Sequence, residues 1–356
     1  MSLKEKVQKL PPSPGVYLMK DSLNSIIYVG KSKNLKSRVG SYFQNSKSHS
    51  PKVVKLVKNL KDFDYILTDT EFEAFILECK LIKEIKPIYN RLMKNPKSYS
   101  YVYINLNEEY PDITITQEPA KDNKTLCYGP YTSTNTIERA IEGIKECCRI
   151  QCSNNLRKGS SCLNYSLGLC IGMCLNDKNK EEYLKIMDKI IGLLKGSDKS
   201  IIELIENNMN AAAEKFDFEN AAKYRDYFSA VNYLISSDKV VEYTRKNRNI
   251  ALLEYLNDTT IKFFLLKGNK ILFSEKYNLT DFKNLKPILK NNILSYFKNE
   301  TSKDSIDIGK EEIDEAQIIY SYLKSKTNGC RHAVISESWL NSSMNSGIDK
   351  VLDKLI

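Results

Sequence analysis

A Gly-Lys-Ser triplet at residues 30–32 matches the end of the phosphate-binding P-loop of nucleotide-hydrolysing enzymes. A P-loop also requires a glycine five residues before Gly30, and that position is Ser25. The residues between them, 26–29, are bulky strand formers, whereas a phosphate cradle needs a flexible loop that offers backbone N–H groups. The sequence therefore excludes a P-loop and leaves a basic segment that meets another kind of phosphate.

Positive charge is concentrated in the first 100 residues. This segment has 19 Lys or Arg against 9 Asp or Glu, whereas the other 256 residues have 35 of each sign. No acidic residue lies between Asp21 and Asp62. Such an excess indicates a surface for a polyanion such as DNA, and a solvated lysine-rich face is the alternative. The candidate DNA-binding residues are Lys33, Lys36, Lys52 and Lys55.

The length of 356 residues predicts two to four domains. No segment approaches 18 uninterrupted apolar residues, and the N-terminus lacks the apolar core of a signal peptide. We therefore expect no membrane partner and a cytoplasmic location. His49 and His332 are the only histidines, which leaves little material for histidine-based catalysis.

Six of the nine cysteines lie between Cys147 and Cys174. In a reducing compartment such clustering favours a metal over disulfides. The last four members of the group are separated by nine, seven and three residues, so the paired C-x-x-C knuckles of structural zinc sites are absent from the sequence.

The elements that must position the N-terminal residues begin with a predicted β-hairpin, formed by residues 15–20 and 25–29 around a turn. An N-cap at Asn34 predicts a helix to about Phe43, followed by a helix over 52–61 and a strand over 63–67. Residues 70–85 have apolar side chains at helical spacing. The first 95 residues are therefore expected to form a compact α+β unit.

Residues 96–133 are predicted to form short strands and turns, and a helix begins near residue 133 or 134. Helices over 201–214 and 218–235 are expected to be antiparallel and joined at 215–217. Strands return after residue 248, followed by helices near 285–298 and 310–324. The fold class is α+β multidomain, with predicted domains at 1–95, 96–180, 181–236 (hairpin at about 199–235) and 237–356.

The sequence contains two short triplets of glycine, valine and tyrosine, Gly15-Val16-Tyr17 and Tyr28-Val29-Gly30. A basic helix, a glutamate-bearing helix and Pro87-Ile88-Tyr89-Asn90 follow them in that order. This ordered set resembles the GIY-YIG nuclease family. The resemblance implies a small α/β nuclease domain that hydrolyses phosphodiesters with Mg²⁺ or Mn²⁺. It implies that the catalytic residues are Tyr17, Tyr28, Lys31, Arg38, Tyr42 and Asn90, and that the metal ligand is Glu78.

In this interpretation Tyr28 takes the proton of the attacking water, Arg38 binds the scissile phosphate and Glu78 binds the cation. An unperturbed tyrosine has a pKa of about 10, so it is a poor base. We therefore expect Lys31 and Arg38 to favour its phenolate. The alternative is that the strand tyrosines simply pack in the core.

The cysteine region and the helical hairpin extend the resemblance, over about residues 10–235, to the UvrC excinuclease family. In that family four cysteines hold a four-iron four-sulfur cluster. That role falls here on the set Cys152, Cys162, Cys170 and Cys174, and Zn²⁺ is the alternative cofactor.

Residues 211–231 resemble the UVR motif, by which UvrC docks on the helicase UvrB. The predicted contacts with a UvrB-like partner are Phe216, Phe218, Ala222 and Arg225. Core packing of the hairpin is the alternative. The C-terminal α/β domain resembles the UvrC segment that precedes a second nuclease domain, and no carboxylate set of that second nuclease is readable.

The resemblance implies a monomeric endonuclease of nucleotide excision repair that acts on double-stranded DNA with a lesion. If the chain is complete, we expect one incision, on the 3′ side of the lesion. Two alternatives remain: a GIY-YIG endonuclease acting outside excision repair, and an adaptor that binds DNA and a partner.

Overall fold

The computed structural model describes residues 2–44, 50–119, 125–152, 161–299, 306–325, 329–341 and 345–356. The chain divides into two compact units. The first unit comprises Met1–Pro96 and Tyr243–Ile356, and the second comprises Lys97–Glu242. The first unit thus joins segments from the two ends of the sequence.

The N-terminal part of the first unit is a three-stranded antiparallel sheet flanked by helices. Its elements are α1 (Leu3–Gln8), β1 (Gly15–Lys20), β2 (Ile26–Ser32), α2 (Leu35–Ser41), α3 (Pro51–Asn59), β3 (Asp62–Leu67) and α4 (Glu71–Ile85). The strand order is β2-β1-β3. The predicted hairpin is confirmed, and so is the N-cap at Asn34, whose side chain accepts a hydrogen bond from the Ser37 N–H.

The second unit combines a small sheet with a helical bundle. Its elements are β4 (Ser100–Asn105), β5 (Ile113–Thr116), β6 (Thr125–Tyr131), α5 (Thr134–Cys147), α6 (Leu163–Ser166), α7 (Asp177–Lys195), α8 (Ser200–Glu214) and most of α9 (Phe218–Arg245), whose last three residues belong to the first unit. The predicted helical hairpin is confirmed as α8 and α9. Helix α9 continues past its predicted end because Val240 and Val241 are still buried. None of the helices in the described ranges is both long and apolar enough to cross a membrane.

The C-terminal part of the first unit is a four-stranded antiparallel sheet with helices on both faces. Its elements are β7 (Asn249–Asn257), β8 (Thr260–Lys267), β9 (Lys270–Asn278), α10 (Phe282–Asn299), α11 (Ile313–Lys324), β10 (Arg331–Ile335), α12 (Glu337–Asn341) and α13 (Ser346–Leu355). The order is β10-β7-β8-β9. Successive residues of a strand point to opposite faces, so Phe263 packs with α10 and α13 while Phe264 packs with α11 and α4.

Helix α4 is buried on two faces rather than one. Ala74 and Ile82 pack against β1 and β2, whereas Phe72 and Cys79 pack against the C-terminal sheet and α11. The Phe72 ring stacks on Tyr322 at a centroid distance of 4.7 Å. The apolar residues that the sequence suggests as a single face of this helix therefore serve two separate cores.

A buried lysine joins the C-terminal sheet to the start of α4. The Lys262 side chain is only 8% exposed, and its ammonium lies 2.8 Å from Asp69 and 2.9 Å from Glu73. Glu73 also accepts hydrogen bonds from the Thr70 and Asp69 N–H groups, which closes the capping box of α4. The same carboxylate thus fixes both the first turn of α4 and the position of β8.

We expect Phe264→Ala to loosen α4 as well as the C-terminal sheet. Deleting a buried aromatic ring lowers the free energy of unfolding by about 3–5 kcal/mol. The Phe264 ring packs edge-on against the Phe72 ring of α4, with 5.3 Å between the ring centroids. Hydrogen exchange should therefore accelerate in α4 amides 71–79. Ile288→Ala, on the exposed side of α10, is the control and should leave them unchanged. Unaltered α4 exchange in the Phe264 variant would contradict the shared core.

Candidate active site

Two glycines of the hairpin lie where neighbouring atoms leave no space for a side chain. The β1–β2 register places Tyr17 opposite Gly30. A Cβ atom on Gly30 would overlap the Tyr17 ring, and one on Gly15 would overlap the carbonyl oxygen of Ile66 in β3. These positions must lack a side chain because the Tyr17 ring and the β3 backbone occupy the space.

Three tyrosines converge at the end of this hairpin. The Tyr17 and Tyr42 hydroxyl groups are 2.9 Å apart and share a buried hydrogen bond. The Tyr17 ring centroid lies 6.1 Å from that of Tyr28 and 6.0 Å from that of Tyr42. Helix α2 brings Arg38 to the same place, where its guanidinium lies 5.3 Å from the Tyr42 ring and interacts with the Tyr17 hydroxyl.

Burial keeps the two strand tyrosines of this cluster protonated. Burial raises the pKa of Tyr28, and Tyr42 and Glu78 raise it further, while Arg38 opposes the shift. Burial also raises the pKa of Tyr17. Arg38 favours the Tyr28 phenolate, as expected, but desolvation outweighs it and the net shift of the pKa is upward.

The Lys31 ammonium points to Glu71 and Phe75, whereas we expected it from the sequence to favour the Tyr28 phenolate. Its Nζ lies 2.9 Å from a carboxylate oxygen of Glu71 and 3.2 Å from the centroid of the Phe75 ring. The contact of Lys31 with the site is made by its backbone, whose N–H donates a 3.1 Å hydrogen bond to Glu78. Sequence reasoning missed Glu71 as the partner, because the two residues lie on different elements.

Glu78 is the carboxylate of the site. Burial raises its pKa, and the Lys31 N–H, the Lys31 charge and the Arg38 charge oppose that shift. A buried carboxylate of this kind fits a divalent cation, because the cation would stabilise its charged form. Among the described residues no group of three or more His, Cys, Asp or Glu lies close enough to hold a metal ion. Glu78 would therefore hold a cation with waters and phosphate oxygens as the other ligands.

The Asn90 side chain bonds to the backbone of the strand that carries Tyr28. Its side-chain amide donates to the Val29 carbonyl oxygen and accepts from the Val29 N–H, both at 2.9 Å. The Tyr89 N–H donates to the Ile27 carbonyl oxygen at 3.0 Å. Asn90 thus completes the hydrogen bonding of β2 and fixes Tyr28, and both ends of its amide are occupied.

The four predicted DNA-binding lysines differ in exposure, and one of them lies beside Tyr28. Lys33, Lys36 and Lys55 are exposed. Lys52 is half-buried, and its ammonium lies 5.4 Å from the centroid of the Tyr28 ring. The structure therefore brings α3, which carries the predicted DNA-binding residue Lys52, to Tyr28.

The four predicted cluster cysteines lie in the second unit. Cys162, Cys170 and Cys174 are buried and Cys152 is half-buried, and in the described part of the chain none of the four forms a disulfide. The Cys170 sulfur accepts a hydrogen bond from the Gly172 N–H at 3.3 Å. In the part of the chain that the structure describes, the four thiols do not form a group close enough to hold a metal. An iron–sulfur or zinc centre therefore stays a prediction.

The turn of the α8–α9 hairpin presents two aromatic side chains to solvent. Phe216 is 78% exposed and Phe218 is 69% exposed, and their ring centroids are 6.3 Å apart. Of the other predicted contacts, Ala222 is half-buried, whereas Arg225 is exposed and forms an ion pair with Asp226 at 3.0 Å. Core packing therefore does not explain the two phenylalanines.

Comparison with family models gives three matches in chain order. Residues 13–91 match the UvrC-like GIY-YIG domain, residues 99–193 the UvrC/Cho excinuclease middle domain, and residues 199–233 the UvrB/uvrC motif. The chain is similar to UvrC over all three of these segments. It corresponds to an N-terminal half of UvrC, and its N-terminal domain matches the GIY-YIG domain of that protein.

Curated UvrC relatives extend well beyond the part that this chain matches. The chain is 38% identical over 333 residues to UvrABC system protein C of Alkaliphilus oremlandii, covering 91% of this chain and 54% of the relative. It is 36% identical over 338 residues to that of Clostridioides difficile, covering 91% and 55%. The chain thus spans about half the length of these relatives.

Solved structures of a UvrC domain are also similar. The GIY-YIG N-terminal endonuclease domain of UvrC from Thermotoga maritima, bound to its catalytic divalent cation, magnesium, is 36% identical. The similarity covers 25% of this chain and 96% of that domain, with a TM-score of 0.23.

We expect Gly30→Ala to disrupt the site, because the added methyl group displaces the Tyr17 ring from the hairpin. The matched control is Gly40→Ala in α2, where a Cβ meets only the Val7 side chain at an ordinary 3.6 Å. The Gly30 variant should lower the free energy of unfolding by about 1–3 kcal/mol, whereas the Gly40 variant should equal or exceed the wild type. Urea denaturation measures both. Equal stabilities would contradict the close packing of Tyr17 on Gly30.

Proposed function

We propose that this chain is a DNA endonuclease of nucleotide excision repair, which makes one metal-dependent incision on the 3′ side of a lesion. The observation that carries the proposal is the convergence of Tyr17, Tyr28, Arg38 and Glu78 in one site of a UvrC-type GIY-YIG domain. The surrounding lysines supply a surface for a duplex.

Each side chain has a role that its surroundings support. Arg38 binds the scissile phosphate, since its planar fork matches two phosphate oxygens. Tyr28 accepts the proton of the attacking water, and Tyr17 and Tyr42 orient that water through their shared hydrogen bond. A divalent cation at Glu78 would neutralise charge on the phosphate and its leaving oxygen.

The raised pKa of Tyr28 has a consequence for this mechanism. Only the phenolate accepts a proton, and at neutral pH it is a small fraction of a tyrosine whose pKa lies above its ordinary value. The nicking rate is therefore expected to rise with pH across the neutral range, because the phenolate fraction grows about tenfold per unit below the pKa.

A partner of the UvrB type is proposed to recruit the enzyme through the hairpin. Support comes from the UvrB/uvrC motif match and from two exposed phenylalanines at the turn. Exposed aromatic side chains are the usual anchors of protein–protein interfaces. Because a UvrB-like partner would load the enzyme at damage, lesion recognition is assigned to that partner.

The function is tested by nicking of a lesion-bearing duplex with Mg²⁺, with and without UvrB. Nicking that needs both the lesion and UvrB, on the 3′ side, is the expected result. Equal nicking of undamaged DNA would indicate an endonuclease outside excision repair. If neither the wild type nor the Glu78→Ala variant nicks any duplex, only a DNA- and partner-binding adaptor would remain.

Tyr28→Phe should lower kcat for nicking by at least about 100-fold, the scale of one lost acid–base group, while DNA affinity changes less than about twofold. Tyr65→Phe, at an exposed tyrosine of β3, is the control and should cut as the wild type does. Single-turnover nicking and fluorescence anisotropy separate the two effects. Retained cutting by the Tyr28→Phe variant would rule out the tyrosine as base.

Replacing Phe216 and Phe218 together by alanine should reduce UvrB-dependent nicking about tenfold or more. Thermal stability should be unchanged, because both side chains are exposed. Leu204→Ala, at a partly exposed position of α8, controls for a general effect on the hairpin. Full UvrB stimulation of the double variant would contradict docking through this turn.

The four cysteines are proposed to bind a four-iron four-sulfur cluster, with Zn²⁺ as the alternative. Their burial and the N–H···S bond at Cys170 support the proposal. To bind the cluster, the thiols would have to move closer together than they lie in the structure. Anaerobically purified protein should be brown with a broad visible band that Cys170→Ser abolishes. A colourless protein with stoichiometric zinc would select the alternative, and a metal-free protein would reject both.

A further inference from the structure

The Lys52 ammonium lies beside the Tyr28 ring, and the charge of Arg91 acts on it. The Lys52 ammonium lies 5.4 Å from the Tyr28 ring, and the charge of Arg91 contributes, after burial, to a lowered pKa of Lys52. Neither side chain forms an ion pair with a carboxylate of the described residues, whereas Lys6, Lys20 and Lys31 all do. The pair is therefore a concentrated positive charge with no counterion among those residues.

Hydrogen bonds fix the segments that carry these two cations. Residue 91 follows Asn90, whose amide is bonded to Val29 in β2. The Asn59 amide, at the end of α3, donates to the Tyr89 hydroxyl at 2.5 Å. Hydrogen bonds thus connect helix α3 and the segment before Arg91 to each other and to the strand of Tyr28, so both cations are carried by segments joined to that strand.

We propose that Lys52 and Arg91 form a binding site for a backbone phosphate of the cut strand, next to the scissile phosphate. Like charges held together cost free energy in the unbound protein, and an anion between them relieves that cost. Arg91 offers a planar fork and Lys52 a compact point charge, a combination suited to a phosphodiester. The site would set how far along the strand the cut falls relative to the bound duplex.

This proposal rests on the proposed nuclease function for its position along the DNA, but its binding part can be tested separately. Lys52→Gln, Arg91→Gln and the control Lys58→Gln are compared with the wild type. Lys58 is an exposed lysine in the last turn of the same helix, α3. Arg91→Lys keeps the charge and should recover most of the binding. All three positions are at least partly exposed, so circular dichroism should show equal folding.

The decisive substrate is a duplex in which one phosphate at a time is replaced by a neutral methylphosphonate. Neutralising one phosphate beside the cut should lower wild-type kcat/KM about tenfold, and Arg91→Gln should show a similar loss on unmodified DNA. That variant should lose nothing further on the methylphosphonate duplex. The assignment would be overturned if the losses from Arg91→Gln and from the methylphosphonate added at every phosphate position. It would also be overturned if Arg91→Gln cut as fast as the control Lys58→Gln.

Measuring DNA binding by fluorescence anisotropy distinguishes failure of the phosphate site from failure of the proposed nuclease function. In the absence of a cleaving metal, each of the two substitutions should reduce the slope of log affinity against log salt by about one. If the wild type cuts no duplex, the proposed function fails, and this slope still tests the phosphate site. An unchanged slope in both variants, with normal wild-type nicking, would reject the site alone.

Discussion

The packing of α4 between two sheets is the constraint on which the candidate site depends. One face of the helix packs on β1 and β2, and the other packs on the C-terminal sheet and α11. Glu78 lies on this helix and accepts a hydrogen bond from the Lys31 backbone in β2. The position of the carboxylate relative to the tyrosines is therefore set by contacts from both ends of the sequence, and Lys262 fixes the first turn of the same helix.

The electrostatic character of the site follows from its burial. Desolvation raises the pKa of Tyr17, Tyr28 and Glu78 alike, so burial disfavours the charged form of each group. Arg38 is a cation that opposes the shift in all three. A divalent cation would favour the charged forms of these buried groups, and a bound phosphate would pair with Arg38.

Much of the N-terminal domain could be predicted from the sequence, because its signals are local. Alternating strand residues, the Asn34 cap and the periodicity of α4 depend on neighbouring positions, and the structure confirms them. The direction of the Lys31 ammonium and the second buried face of α4 could not be predicted. They depend on Glu71 and on Phe264, which reach their partners only after the sheets have packed.

Asn90 illustrates the same limit within the site. A polar residue in a motif gives no indication of whether it contacts the reacting atoms or the neighbouring strand, and the contacts of Asn90 with Val29 appear only in the structure. The exposed phenylalanines of the hairpin are the opposite case. Their spacing in the sequence suggested a partner contact, and their exposure is consistent with it.

The central claim is that Glu78 and the tyrosine cluster form one metal-dependent centre. Anomalous diffraction from crystals soaked in Mn²⁺ tests it directly, since the ion is located without reference to activity. The account predicts a single strong peak within about 2.2 Å of a Glu78 carboxylate oxygen, absent in Glu78→Ala crystals. A peak bound elsewhere, or one that persists in the variant, would contradict it.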